Sequence, residues 1–320
     1  MARTDGIHTF DAALPHGITL ACRGNAPFDA AGVLPAGHAY AALPRVVLLH
    51  GFPEGAFAWD DILRRLAGKA VAVAPDLRGY GRSSAPTEVA AYQARHLVQD
   101  VLALIDRCAA RPGAPIDLLV AHDWGGAVAW NLAMMRPDRC ARLMILNSPH
   151  PATFLRELRG NPAQQAASAY MEFLCRPDAA ALLAADGYAR MWGFFEKMGR
   201  SADWLTPALR DVYRAHWSLG LEGGLNYYRA SPMRPGVGEM DIPDERVTVR
   251  VPTTVLWGER DTALLPGLID GLGRWVPDLR TVRVPDATHW IAHERPALVA
   301  EEILRALARQ RSMVAMPRSV

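Results

Sequence analysis

Six short apolar runs constrain this chain more than any other feature of it. They are "RVVLLH" (45–50), "AVAVAP" (70–75), "IDLLVA" (116–121), "RLMILN" (142–147), "TTVLW" (253–257) and "RTVRV" (280–284). The runs read as continuous rather than alternating, the pattern of parallel strands covered on both faces. Between them lie helical patterns such as "FAWDDILRRLAG", "ARHLVQDVLALIDRC" and "ALVAEEILRALARQ". Strands that alternate with helices predict an α/β fold with a mostly parallel, doubly wound sheet. One more strand is expected in "GITLACRG" (17–24), followed by an Ala/Gly/Pro-rich loop over 25–44 to which no function can be assigned.

From about 150 to 240 the pattern changes. Helical periodicity continues without buried strands, Trp192, Trp204 and Trp217 appear, and proline-containing turns bracket the stretch. It reads as a helical cap inserted between two parts of an α/β core, residues 1–149 and 241–320; a further core layer is the plainer alternative. The short basic tail after Gln310 is expected to fray.

Composition excludes several classes of function. The chain is 50% apolar and 21% charged, as ordinary globular proteins are, and its net charge is +2 with scattered arginines. Neither nucleic acid nor a membrane surface is expected as a partner. Cys22, Cys108, Cys140 and Cys175 lie far apart without a C-x-x-C pair, so they read as free thiols and no metal is expected. The first ten residues lack the pattern of a signal peptide, and no run is long enough to span a bilayer, so a cytoplasmic location is expected.

The chemistry is concentrated where strands end. In "DLLVAHDWGGAVAW" (117–130) an apolar run passes through Asp123 into a helical pattern, with Ala121, Gly125 and Gly126 as small neighbours. That is the outline of a nucleophile elbow, with an aspartate at the apex. A plain helix N-cap would explain an aspartate but not the small residues around it. "LLHGFPE" (48–54) ends an earlier strand in a His50-Gly51 turn, so the backbone N–H groups of Phe52 and Trp124 form the expected oxyanion hole. Asp261 in "VLWGERD" and His289 in "VPDATHW" follow later strands, in the order nucleophile, acid, base. Glu259 and Asp286 are rival acids, and His122 is expected to point away from the nucleophile. A carboxylate gains little by attacking an ester carbonyl. At a saturated carbon it displaces an alkoxide or halide and leaves a hydrolysable ester, so Asp123 predicts epoxide or carbon–halogen substrates.

Together these motifs resemble those of the α/β-hydrolase fold epoxide hydrolases of the soluble type. The resemblance covers about 45 to 308 and includes "HGFPE", "PDLRGYGRSS", "AHDWGGAVAW", "LNSPHP" and "LWGERD". It implies two cap tyrosines that donate hydrogen bonds to the epoxide oxygen, matched here by Tyr170 in "AYMEFLCRP" and Tyr228, rather than Tyr227, in "GLNYYRA". It further implies a small-molecule epoxide as substrate, no cofactor, and a monomer or homodimer. Haloalkane dehalogenases are similar in the Asp-Trp pair but usually carry an Asn or Trp where this chain has Phe52, and fluoroacetate dehalogenases carry Arg where it has Trp124. A dehalogenase is therefore the alternative, and a non-catalytic binding protein a third reading. Phe173, Met191, Trp192 and Trp217 are candidates for an apolar substrate pocket.

Overall fold

The apolar runs become the middle of one eight-stranded sheet. The computed structural model describes residues 6–29, 32, 34, 39–111, 113–198, 203–238, 240 and 242–314. Its strands are β1 (His8–Ala13), β2 (Thr19–Gly24), β3 (Arg45–Leu49), β4 (Val71–Pro75), β5 (Leu118–His122), β6 (Leu143–Leu146), β7 (Thr253–Gly258) and β8 (Leu279–Val284). They lie in the order β1-β2-β4-β3-β5-β6-β7-β8. β1 and β2 pair antiparallel, as do β2 and β4, and every other pair is parallel.

Burial explains the continuous runs. Val47 and Leu49 of β3 face one core, with Leu97, Val101 and Leu132 from the helices Ala94–Cys108 and Asp123–Met135. Val46 and Leu48 face the other, with Ile62 and Leu66 of the helix Asp60–Leu66 and Val299 and Ile303 of the helix Pro296–Val314. A strand covered on both faces has no solvent-facing position to fill with polar residues. The two edge strands differ. β8 exposes Thr281, and β1 alternates, with Phe10 and Ala12 buried and Thr9 and Asp11 exposed. That alternation in "HTFDAA" is the signal of the strand β1, which the apolar runs do not reveal.

Among the described residues, every regular element between β6 and β7 is helical, from Pro151–Gly160 to Asp244–Val247. The helix Ala179–Met198 is interrupted by non-helical backbone at Ala185–Tyr188, where Asp186, Gly187 and Tyr188 take positive φ. No helix among the described residues is long and apolar enough to cross a membrane. The C-terminal helix continues to Val314, past the point where fraying was expected, and residues 315–320 lie outside the described residues, as does much of 30–38. The four cysteines are free; Cys22, Cys108 and Cys140 are buried, and Cys175 is partly so.

A buried ion pair fastens the helix Ala94–Cys108 to the loop after β4, and the helical segment leans on the same loop. Arg78, in the loop after β4, holds Asp100 through two bonds of 2.7 and 2.6 Å, and Asp100 also meets His16 at 2.6 Å. The Arg78 carbonyl in turn accepts from the Tyr227 hydroxyl at 2.9 Å. Removing one member of a buried pair leaves the other charge uncompensated, a cost of about 3 kcal/mol or more. Arg78→Met is expected to lower the urea midpoint of unfolding accordingly, and a midpoint within error of wild type would refute that assignment.

Candidate active site

Five strand ends meet at the C-terminal edge of the sheet. β4 lies on one side of β3 and β5 on the other, so the winding direction reverses between β3 and β5, where open α/β sheets bind ligands. Asp123 stands there, directly after β5, with φ of 48°. Few non-glycine residues adopt that conformation. It is held by close backbone approaches: a Cβ on Gly125 would meet carbonyl oxygens of His50 and Leu49 at 2.5 and 2.6 Å, and one on Gly126 would meet Ser148 Cβ at 2.3 Å. The Ser148 hydroxyl donates to the Asp123 carbonyl at 2.7 Å.

The turn after β3 supplies the expected backbone donor. Phe52 N–H donates to Asp123 Oδ1 at 2.8 Å. His50 pins that turn: its Nε2 accepts from Leu77 N–H at 3.0 Å, which leaves Nδ1–H to donate to the Gly51 carbonyl at 2.9 Å. Gly51 is required by space, since a Cβ there would sit 2.2 Å from Asp123 Oδ1. Trp124 is the second residue of the helix Asp123–Met135, so its N–H is among the first-turn donors that lack an intrahelical acceptor. Its indole ring stacks edge-on against Tyr228 at 5.0 Å.

Asp261 and His289 meet at the ends of β7 and β8. His289 Nδ1 lies 2.7 Å from Asp261 Oδ2, and His289 Nε2 lies 3.8 Å from Asp123 Oδ2. Asp261 is saturated: Oδ1 accepts from Ala263 and Leu264 N–H at 2.9 and 2.8 Å, and Oδ2 also accepts from Asn147 Nδ2 at 2.8 Å. The rival acids are engaged elsewhere, Glu259 with Arg283 and Asp286 with Arg295. Burial disfavours a charged imidazole, but the charge and hydrogen bond of Asp261, with Asp123 beyond, outweigh it and hold His289 at about 9.

Tyr170 and Tyr228 line the cavity that contains Asp123, and their hydroxyls interact. Burial pushes both phenols up, reinforced by the charge of Asp123 at Tyr170 and by Tyr170 and then Asp123 at Tyr228, so they stay protonated as donors. Tyr227 also lines the cavity, but its hydroxyl is spent on Arg78.

The four pocket candidates do not line that cavity. Met191, Trp192 and Trp217 are buried in the core, where the Trp192 and Trp217 rings pack tilted at 4.6 Å. Their polar atoms are satisfied there, Trp192 by Gly187 O and Trp217 by Pro53 O. Phe173 is partly buried under the Arg190 guanidinium. The cavity walls come instead from residues such as Phe154, Met171, Met233 and Leu264. Apolar side chains look alike in a sequence whether they fill a core or face a void.

Two further sets of residues lie in the quoted motifs without having been assigned a role in the site. Asn147, buried with φ of 36°, accepts from Gly258 N–H at 2.8 Å while its amide holds Asp261. His122 does turn away from the cleft: its Nε2 lies 2.8 Å from the His289 carbonyl and its Nδ1 3.3 Å from Glu54 Oε2. Glu54 also accepts from Tyr213 and His293 at 2.8 and 2.6 Å. Burial alone would raise its pKa, but His293 and His122 hold it well below the usual carboxylate range.

A sequence profile described as the alpha/beta hydrolase fold matches residues 44–296. The AB hydrolase superfamily protein YfhM of Bacillus subtilis is 34% identical over 83% of this chain and 91% of its own. An epoxide hydrolase of Caballeronia sordidicola is 30% identical over 82% and 87%. The crystal structure of a Bacillus megaterium epoxide hydrolase bound to an inhibitor superposes with a TM-score of 0.79, at 25% identity, over 93% of this chain and 99% of that one.

The charge arrangement has a measurable consequence. His289 is held at about 9 against an ordinary 6.5, so its contribution to stability is complete below 6.5 and is lost as pH rises through 9. In an NMR titration its ring should change charge near pH 9, and Asp123→Asn should lower that midpoint by roughly one pH unit or more. A midpoint that does not move would mean Asp123 exerts no field on the imidazole.

Proposed function

This chain belongs to the α/β-hydrolase fold family, and from that premise we propose that it is an epoxide hydrolase working through a covalent ester on Asp123. The observation that carries the reading is an aspartate at the elbow, faced by two protonated tyrosines, Tyr228 buried and Tyr170 partly so. Epoxide hydrolases among its relatives and structural neighbours support the same reaction.

The two oxygens of Asp123 have different tasks. Oδ1 is occupied by Phe52 N–H, so Oδ2 attacks an epoxide carbon. The C–O bond breaks as the C–Oδ2 bond forms, and the leaving oxygen takes a proton from Tyr170 or Tyr228. A halide would need no such proton, which favours the epoxide over the carbon–halogen alternative. Oδ1 is now the ester carbonyl and already lies in the backbone donor site that will hold the next negative charge.

Esterification also prepares the base. Asp123 loses its charge, one of the contacts that keeps the His289 imidazolium stable, so the pKa of His289 falls and Nε2 becomes available. The proton it gives up restores the tyrosine hydroxyl. Nε2 then removes a proton from water as the water oxygen adds to the ester carbonyl carbon. Collapse expels the alkoxide, which takes the proton of the new carboxyl group and leaves as a vicinal diol, with Asp123 again a carboxylate and His289 an imidazolium. One oxygen of Asp123 then derives from water. The helices between β6 and β7 act in this scheme as the cap that excludes bulk water from the cleft.

Turnover in heavy-oxygen water is expected to label Asp123, as read by mass spectrometry of its peptide; an unlabelled carboxylate would mean direct attack by water. His289→Gln should accumulate the ester, and Tyr170→Phe should slow its formation by roughly 100-fold. In single turnovers, ester hydrolysis should fall as pH drops, with a midpoint below the resting value of about 9.

A further inference from the structure

The helix Asp123–Met135 presents Asp123, Trp124, Ala127, Val128, Asn131 and Met134 to a single cavity. These positions form one stripe, and at a rise of 1.5 Å per residue the wall runs roughly 16 Å from the carboxylate to Met134. The cavity volume is about 400 Å³. A cavity of that size along so long a wall is a slot that takes an elongated guest. The opposite walls are mostly apolar, with Phe154, Met233 and Ile242 among them and Ser231 and Arg246 as polar exceptions.

Asp123 stands at one end of this slot. Beyond it the space is filled by aromatic rings. Phe52, whose N–H holds Oδ1, sets its ring edge-on against Tyr228 at 5.4 Å and Phe194 at 5.9 Å, and Phe194 meets Tyr170 at 6.0 Å. Neither Phe52 nor Phe194 lines the cavity. A substituent on the carbon farther from the slot would have to occupy their volume.

We infer that the substrate is a terminal epoxide carried on a long apolar substituent, with the oxirane at the closed end and the chain along the stripe from Trp124 to Met134. This rests on the epoxide hydrolase reading and narrows it to a substrate class. Extended chains rise about 3.6 Å for every three bonds, so the slot accepts roughly a dozen bonds beyond the oxirane.

The test compares dodecene epoxides of equal carbon count, one terminal and one mid-chain, with the terminal epoxide of butene. The terminal dodecene epoxide should exceed the mid-chain isomer in kcat/KM by on the order of 100-fold, since the latter cannot bring either carbon to Oδ2 without displacing an aromatic ring. It should exceed the butene epoxide at least about tenfold through chain burial. Ala127→Trp, which fills the slot, should reduce the preference for the long chain over the short by about tenfold or more. Equal turnover of terminal and mid-chain epoxides, or no gain with chain length, would overturn the inference and leave epoxide hydrolysis standing. Absence of diol from all three, with no ester on Asp123, would overturn the underlying reading and this inference with it.

Discussion

A buried carboxylate acts as a nucleophile only if one of its oxygens stays unsatisfied, and leaving it so is costly. The rest of the cleft follows from how that cost is distributed between two aspartates. Asp261 takes four donors, from Ala263, Leu264, Asn147 and His289, so neither of its oxygens is left free. Asp123 takes one backbone donor on Oδ1 and leaves Oδ2 facing His289 and the cavity. Its place at the head of the helix Asp123–Met135 favours the negative charge that this leaves exposed. Identical side chains thereby differ in how far their oxygens are free, and the proposed nucleophile and orienting acid follow from that difference.

Maintaining that difference demands close tolerances behind the cleft. Four glycines stand where a single methyl group would collide: Gly51 against the carboxylate, Gly125 against the end of β3, Gly126 against Ser148, and Gly258 against the Thr288 carbonyl. Beneath them, Glu54, His122, His293 and Tyr213 form a buried polar cluster that joins the loop after β3, the end of β5 and the segment after His289. Such a cluster is costly when half-satisfied and rigid when complete, which suits a site whose reacting atoms come from separate strands.

Much of this was legible because parallel strands buried on both faces leave unbroken apolar runs, and because the residue just past each run falls at the functional edge of the sheet. Asp123, Asp261 and His289 could be read in this way, and the structure brings the three together. β1 was not legible, since a six-residue edge strand with one covered face carries only a weak alternation. Asn147 was not either: an asparagine after a strand is an ordinary turn residue until its amide is found between Gly258 and Asp261. Trp192 and Trp217 failed as pocket residues because size and apolarity do not distinguish a wall from a core, and their indole N–H groups found carbonyl partners inside the packed cluster.

By itself, then, the sequence determined the strands from β2 to β8 with the helices between them, the aspartate at the elbow and the histidine proposed as its base, because each follows from local periodicity or from the few residues that bound a strand end. Tertiary structure decided which oxygen of Asp123 is held and which is free, how far the field of two carboxylates raises His289, and where the empty space lies. Those properties depend on distances between segments more than a hundred residues apart, such as the 3.8 Å from His289 to Asp123, and no local pattern encodes a distance across the fold. The direction of the cavity from Asp123 is of the same kind. It follows from where Phe52 and Phe194 meet, one from the turn after β3 and one from the helical segment between β6 and β7.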